Sequence, residues 1–231
     1  MQGAQNANWP LQASTKVSTI FSGDYGAADE GNYYIVQIAS GTASNAVATT
    51  SVGLANANPS VAMVNKNAVG SGVNIYLRYA KFYITTIPTT ATSVNYNEVL
   101  DPNPVKVTTA GTTMAPVNTN AGSGNTSSGA WQAGVIVAAA ITSTGRTVGA
   151  GQVTGAIPVA FDEWYFSYGA PTNSVDLIGT QTAVKRVSVP RAPVIIPPQW
   201  YWTLGFWGAS WGASTWNFGL ELGYIERPSG Q

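Results

Sequence analysis

The chain has 231 residues, enough for one large β domain or two small ones, and it balances 10 Lys and Arg against 10 Asp and Glu for a formal charge of zero. No surplus of cations exists to neutralise a nucleic-acid backbone or to hold an anionic membrane. Cysteine and histidine are absent, which excludes a disulfide scaffold, the usual forms of the Ser-His-Asp and Cys-His triads, and the customary ligands of zinc and other transition metals.

Charged residues make up only 9% of the chain, against about 25% in a typical soluble domain. The surface must therefore be covered by Ser, Thr, Asn, Gln, Gly and Ala. Such a weakly solvated surface suits a chain that packs within an assembly. The first residues, Met1 to Asn8, have neither a charged region nor an apolar one, so no signal peptide is expected and synthesis is expected in the cytoplasm. No Lys or Arg precedes Lys16, so no basic arm for packaging a genome is expected. The longest apolar run, Gly134 to Ile141, is far short of the roughly 20 residues that a membrane helix needs.

Residues 1–16 read as an N-terminal extension, and 17–231 as a single domain. Val17 to Phe21 is a short strand candidate that ends in a turn at Ser22-Gly23-Asp24. Tyr33 to Ile38 is β-branched and aromatic and reads as a stronger strand. Between Ser40 and Gly72 only Val61 to Val64 suggests a strand, and the rest reads as long polar loop. Val73, Ile75, Leu77 and Tyr79 alternate with Asn74, Tyr76, Arg78 and Ala80 as a strand does. The parity then switches on the way to Ile84, which predicts a bulge near Ala80. Pro88, Pro102 and Pro104 exclude a continuous central strand through that region.

Thr109 to Gly129 is low-complexity Thr, Asn, Gly and Ser and reads as an exposed, mobile loop. Trp131 to Ile141 is apolar on both parities, which predicts a strand buried on both faces, with a short buried helix as the competing reading. Gly149 to Gly155 loosely matches a dinucleotide fingerprint but reads as a flexible turn. Val159 to Tyr168 and Ala183 to Val189 are further strand candidates.

The densest signal is at the carboxyl end, where five of the eight tryptophans lie between residues 200 and 216. Trp200, Trp202, Leu204 and Phe206 share one parity, and Trp216, Phe218, Leu220, Leu222 and Tyr224 share another. Period two in both predicts two half-buried strands. Eight to ten short strands, Gly/Pro/Asn turns and no convincing amphipathic helix predict an all-β sandwich or barrel.

The layout of that end, a Pro-Pro turn, an aromatic strand, a small-residue loop and the closing Phe218 to Arg227, resembles the last hairpin of viral jelly-roll structural proteins. It is also similar to the TNF/C1q-like jelly rolls, and the ending Leu222 to Arg227 resembles virion proteins of tailed phages. The resemblance covers about thirty-five residues. It implies a single jelly-roll-like antiparallel β-sandwich with long polar loops, assembled as a homotrimer. It further implies a place on the virion as a capsid cement or decoration protein that docks between capsid subunits. The alternatives are a jelly-roll major capsid protein of a small virus and a receptor- or glycan-binding head of a tail fibre. The expected partners are copies of the chain itself and other capsid proteins, without direct nucleic-acid or membrane contact.

No catalytic constellation is readable, so no enzymatic activity, cofactor or metal is expected. Asp162 and Glu163 beside Trp164 have the residue types of a glycosidase, but neighbours in a strand point to opposite faces and cannot form its carboxylate pair. Asp24, Asp29 and Glu30 offer oxygen ligands for Ca²⁺, but their spacing matches no calcium loop and a polar turn is the favoured reading. Asn125-Thr-Ser127 is a formal glycosylation sequon. Lys185, Arg186 and Arg191 form a basic cluster that could dock onto an acidic patch of a neighbour or be an ordinary solvated strand face. Trp207 and Trp211, at and in the loop, are the candidate contacts to a subunit or ligand. Trp200, Trp202 and Trp216 follow the period of the core.

Overall fold

A computed structural model describes residues 22–43, 57–86, 93–154, 163–168, 186–191, 194–207 and 217–228. The described residues are almost all β-structure, with antiparallel sheets packed face to face as a sandwich. Tyr33–Ala43 is β1, Val61–Asn65 β2, Val73–Thr86 β3, Ser93–Asp101 β4 and Val107–Thr109 β5. Thr112–Met114 is β6, Val117–Asn118 β7, Gly129–Ala133 β8, Val137–Ala138 β9 and Arg146–Thr154 β10. Glu163–Tyr168 is β11, Arg186–Arg191 β12, Val194–Ile196 β13, Tyr201–Trp207 β14 and Asn217–Pro228 β15.

The first sheet has the order β12-β11-β3-β15-β1-β7, with β13 added to β3. The second has the order β10-β4-β14-β2-β8-β6, and β5 and β9 form a two-stranded ribbon. Pairing is antiparallel except between β11 and β12, which run parallel. β14 and β15 do not form a hairpin. β14 lies between β2 and β4 in the second sheet, and β15 lies between β1 and β3 in the first. The expected final hairpin is thus corrected to two strands facing one another across the core. Each carries an apolar parity because each is central to its own sheet.

That core is aromatic at one end. Tyr34 stacks on Tyr224 with centroids 5.6 Å apart, Tyr224 meets Trp131 at 5.2 Å, and Trp131 meets Trp202 edge-on at 5.9 Å. Tyr34 and Tyr224 belong to the first sheet and Trp131 and Trp202 to the second, so this column joins the two. Burial pushes the phenol of Tyr34 up and that of Tyr224 well above its ordinary range, and the charge of Glu226 adds to both effects. Val36, Leu77, Leu204, Phe206, Phe218 and Leu222 continue the core, each fully buried.

Several local expectations are corrected. Ser22–Asp29 is a helix, α1, instead of a turn. It ends at Gly31, whose φ of +72° is open to glycine. The Asn32 amide donates to the Ala27 carbonyl and the Gly31 amide to the Ala28 carbonyl, the two bonds of a Schellman cap. The bulge expected near Ala80 is present, at Arg78. Gly223 pairs with Tyr79 and Tyr224 with Leu77, so Arg78 has no opposite residue. A central strand, β4, fits between Pro88 and Pro102. Trp131 to Ile141 is not one strand: β8 stops at Gly134, whose φ is +101°, and Val135 and Val137 are exposed. Gly149 to Thr154 lies in β10 and pairs with β4. Val17 to Phe21 lies outside the described residues.

The Thr109 to Gly129 segment contains β6 and β7 and is pinned by its own amides. Asn120 Nδ2 donates to the Asp29 carbonyl at 2.9 Å, Asn118 Nδ2 to that of Gly31 at 2.8 Å, and Asn125 Nδ2 to that of Glu30 at 3.2 Å. These carbonyls belong to the last residue of α1 and the two after it, and they lack partners within the helix. The asparagines that made the segment look mobile are the groups that cap it.

Candidate functional site

The two faces of the first sheet differ sharply. One parity of β1, β3 and β15 fills the core. The other forms an outer face, and the register places its residues in rows. One row is Gln37, Glu221 and Lys81. The next is Val117, Ile35, Gly223 and Tyr79, and the third is Tyr33, Ile225, Tyr76 and Ile195. Tyr33, Tyr76 and Tyr79 are only half-buried, and Val117 and Ile195 are 66% and 43% exposed, so this face carries apolar and aromatic surface outward.

Gly223 lies under two of these rings. A Cβ there would meet Tyr79 Cε1 at 2.2 Å and the Tyr33 hydroxyl at 2.7 Å. Tyr79 Oη donates to Glu221 Oε1 at 2.9 Å, and Gln37 Nε2 donates to Glu221 Oε2 at 2.8 Å. Helix α1 closes one end of the face. Arg78 at the bulge pairs with Asp24: Nη2 donates to Oδ2 at 3.0 Å, and Nε lies 2.7 Å from Oδ1 in the ion pair. Glu30 lies 3.9 Å from Arg227. Asp24 and Glu30, candidate calcium ligands, therefore face guanidinium groups.

Two carboxylates act as anchors instead of reactive groups. Glu226 accepts from both hydroxyls of Ser127 and Ser128 and from the amides of Ser128 and Gly129, at 3.0 and 3.3 Å for the amides to Oε1. The Ser127 hydroxyl also lies 2.7 Å from that of Tyr224. A carboxylate so fully supplied with donors is held in place as an acceptor. Asp101 is fully buried on the outer side of the second sheet. It receives Lys106 Nζ at 3.2 Å, the amide and hydroxyl of Thr142 at 2.9 and 3.0 Å, and the Asn103 amide at 2.9 Å. Burial pushes its pKa up, but the bonds from Thr142, Asn103 and Lys106 outweigh that and hold it below the usual carboxylate range.

A groove of about 610 Å³ opens beside β1 and β6, lined by Ile35, Gln37, Ile38, Thr113, Met114 and Ala133 among others. Its walls are apolar and hydroxylic. Among the described residues no group of three His, Cys, Asp or Glu is placed to hold a metal ion, and no helix is long and apolar enough to cross a membrane.

Of the residues singled out from sequence as contacts, Trp207, Arg186 and Arg191 are described, and none of the three lies in these rows. Trp207 ends β14, in register with Asn95. Arg186 and Arg191 stand at opposite ends of the edge strand β12, in register with Glu163 and Tyr168. Trp211, Trp216, Lys185 and Asp162 lie outside the described residues. Trp202 is fully buried as expected, and Trp200 is half-buried with Arg146 over its ring at 5.7 Å. The outer-face residues went unnoticed although a signal existed. Tyr76 shares the parity of Asn74 and Arg78, and an aromatic on the polar parity of a strand marks a face meant to touch something.

No protein-family model matches the chain, and no curated protein or solved structure matches it either.

Proposed function

We propose that the protein is a structural component of a virion, a jelly roll that serves as a capsid cement or decoration protein by docking between neighbouring subunits as a trimer. The order of the long strands is the observation that carries this reading. In the first sheet β1, β15, β3 and β11 lie side by side; in the second, β2, β14, β4 and β10. The steps β1 to β2, β3 to β4 and β14 to β15 each pass from one sheet to the other, as in eight strands wound as two Greek keys. The shortage of charge supports the docking role, because interface cores are depleted in charged residues. Its mechanism is mechanical: a rigid sandwich braces the subunits on which it sits.

Light scattering and electron microscopy of the purified chain test the reading. Small closed oligomers, trimers above all, are expected. Closed shells formed by the chain alone would favour a major capsid protein. A monomer at every accessible concentration would overturn the assembly role.

A further inference from the structure

We propose that the outer face of the first sheet carries a carbohydrate-binding platform in which Tyr33 and Tyr79, lying over Gly223, stack a pyranose ring while Gln37 and Glu221 bind its hydroxyls. The inference does not rest on a place in a particle, since a cement protein, a shell protein or a fibre head could each carry such a face.

The platform is built before any ligand arrives. Without a side chain at Gly223, Tyr79 and Tyr33 close in over its backbone, Cε1 of Tyr79 within 2.2 Å and Oη of Tyr33 within 2.7 Å of where a Cβ would stand. Tyr79 is therefore laid along the sheet instead of standing off it. Its hydroxyl is tied to Glu221 at 2.9 Å, and the other oxygen of that carboxylate is tied to Gln37 at 2.8 Å. Ring and carboxylate thus hold each other in place, so binding need not order them. A carboxylate has about four acceptor positions, and these two bonds use two of them. Gln37 is exposed and also offers its carbonyl oxygen.

A pyranose has one face of C–H groups and a rim of hydroxyls. The C–H face suits an aromatic ring, and the rim suits a fixed carboxylate and amide. The rows named here, three deep across four strands, span roughly 14 by 15 Å, room for one or two sugar rings laid on the sheet. Lys81 beside Glu221 leaves the row without net charge, and Arg78 and Arg227 are directed at Asp24 and Glu30. A polyanion needs a run of uncompensated cations, and the row offers none.

Saturation-transfer NMR on the full chain, with linear oligosaccharides of glucose, of galactose and of N-acetylglucosamine as probes, tests the proposal. Transfer to ring C–H protons of at least one sugar is expected. Tyr79→Ala should weaken that sugar by at least about tenfold. Tyr79→Phe, which keeps the ring and releases Glu221, should lose less. Glu221→Gln serves as the second variant should Tyr79→Ala fail to fold, and it should also weaken binding. Absence of transfer from all three sugars overturns the proposal, as does binding unchanged in both Tyr79→Ala and Glu221→Gln. A fall in solution mass in Tyr79→Ala without any sugar effect would also overturn it and assign the face to a second copy of the chain.

Discussion

Lys106 Nζ and Asp101 Oδ2 are 3.2 Å apart with side chains 0% and 1% exposed, and the pair fastens the 101–106 turn and the 142–145 turn onto β4. Removing one partner of such a pair leaves the other buried and uncompensated, which costs about 3–5 kcal/mol. Lys106→Met should lower the urea midpoint accordingly. The Asp101 carboxyl titrates below its ordinary range, so its contribution to stability is present above the unfolded pKa. It is lost as pH falls through the lower folded value. Asp101→Asn should therefore flatten the loss of stability on acidification, measured as urea midpoint against pH, while being less stable than the parent at neutral pH. Nothing local marked this pair in the sequence. Asp101 and Lys106 sit in a Pro-rich stretch that reads as a turn, and Thr142, the other partner of Asp101, comes from 41 residues away.

At the scale of elements, the segment from Val117 to Gly129 shows how composition misleads. Ser, Thr, Asn and Gly read as mobile because they bring no apolar face to bury. Here they are held by polar groups alone, at one end by the asparagine amides on the carbonyls at the end of α1 and at the other by Glu226. Glu226→Ala would strip the acceptor from two hydroxyls and two amides, and an unsatisfied buried donor costs roughly 1–3 kcal/mol. Hydrogen exchange should show the amides of Ser128 and Gly129 losing protection in that variant, with β4 and β14 unchanged. Exchange that is unaltered at Ser128 would refute the anchoring role. Helix α1 was illegible for a related reason. It is eight residues long and built of small and polar residues, so it has no apolar stripe for a helical period to reveal.

At the scale of the molecule, the aromatic column of Tyr34, Tyr224, Trp131 and Trp202 couples the sheets. Trp202 is fully buried between them, and truncating a buried tryptophan costs about 3–5 kcal/mol. Trp202→Ala should lower the unfolding free energy by that amount, with fluorescence and far-UV circular dichroism still reporting one shared transition. Two separate transitions would mean that the sheets fold independently.

The sequence by itself determined the all-β class, the strands β1, β2, β3, β11, β12, β14 and β15, and the core-facing parity of β14, β15 and the first half of β3. Period two is a property of neighbouring residues, so no distant contact is needed to read it. Tertiary structure alone decided which sheet each strand joins. β14 and β15 follow one another in the chain, yet hydrogen-bond to β2 and β4 in one case and to β1 and β3 in the other. It likewise decided that Tyr33 and Tyr79 meet over Gly223. Backbone hydrogen bonds between strands are the same for every residue type, so their partners are chosen by packing across the whole sandwich and leave no local trace in the residues that make them.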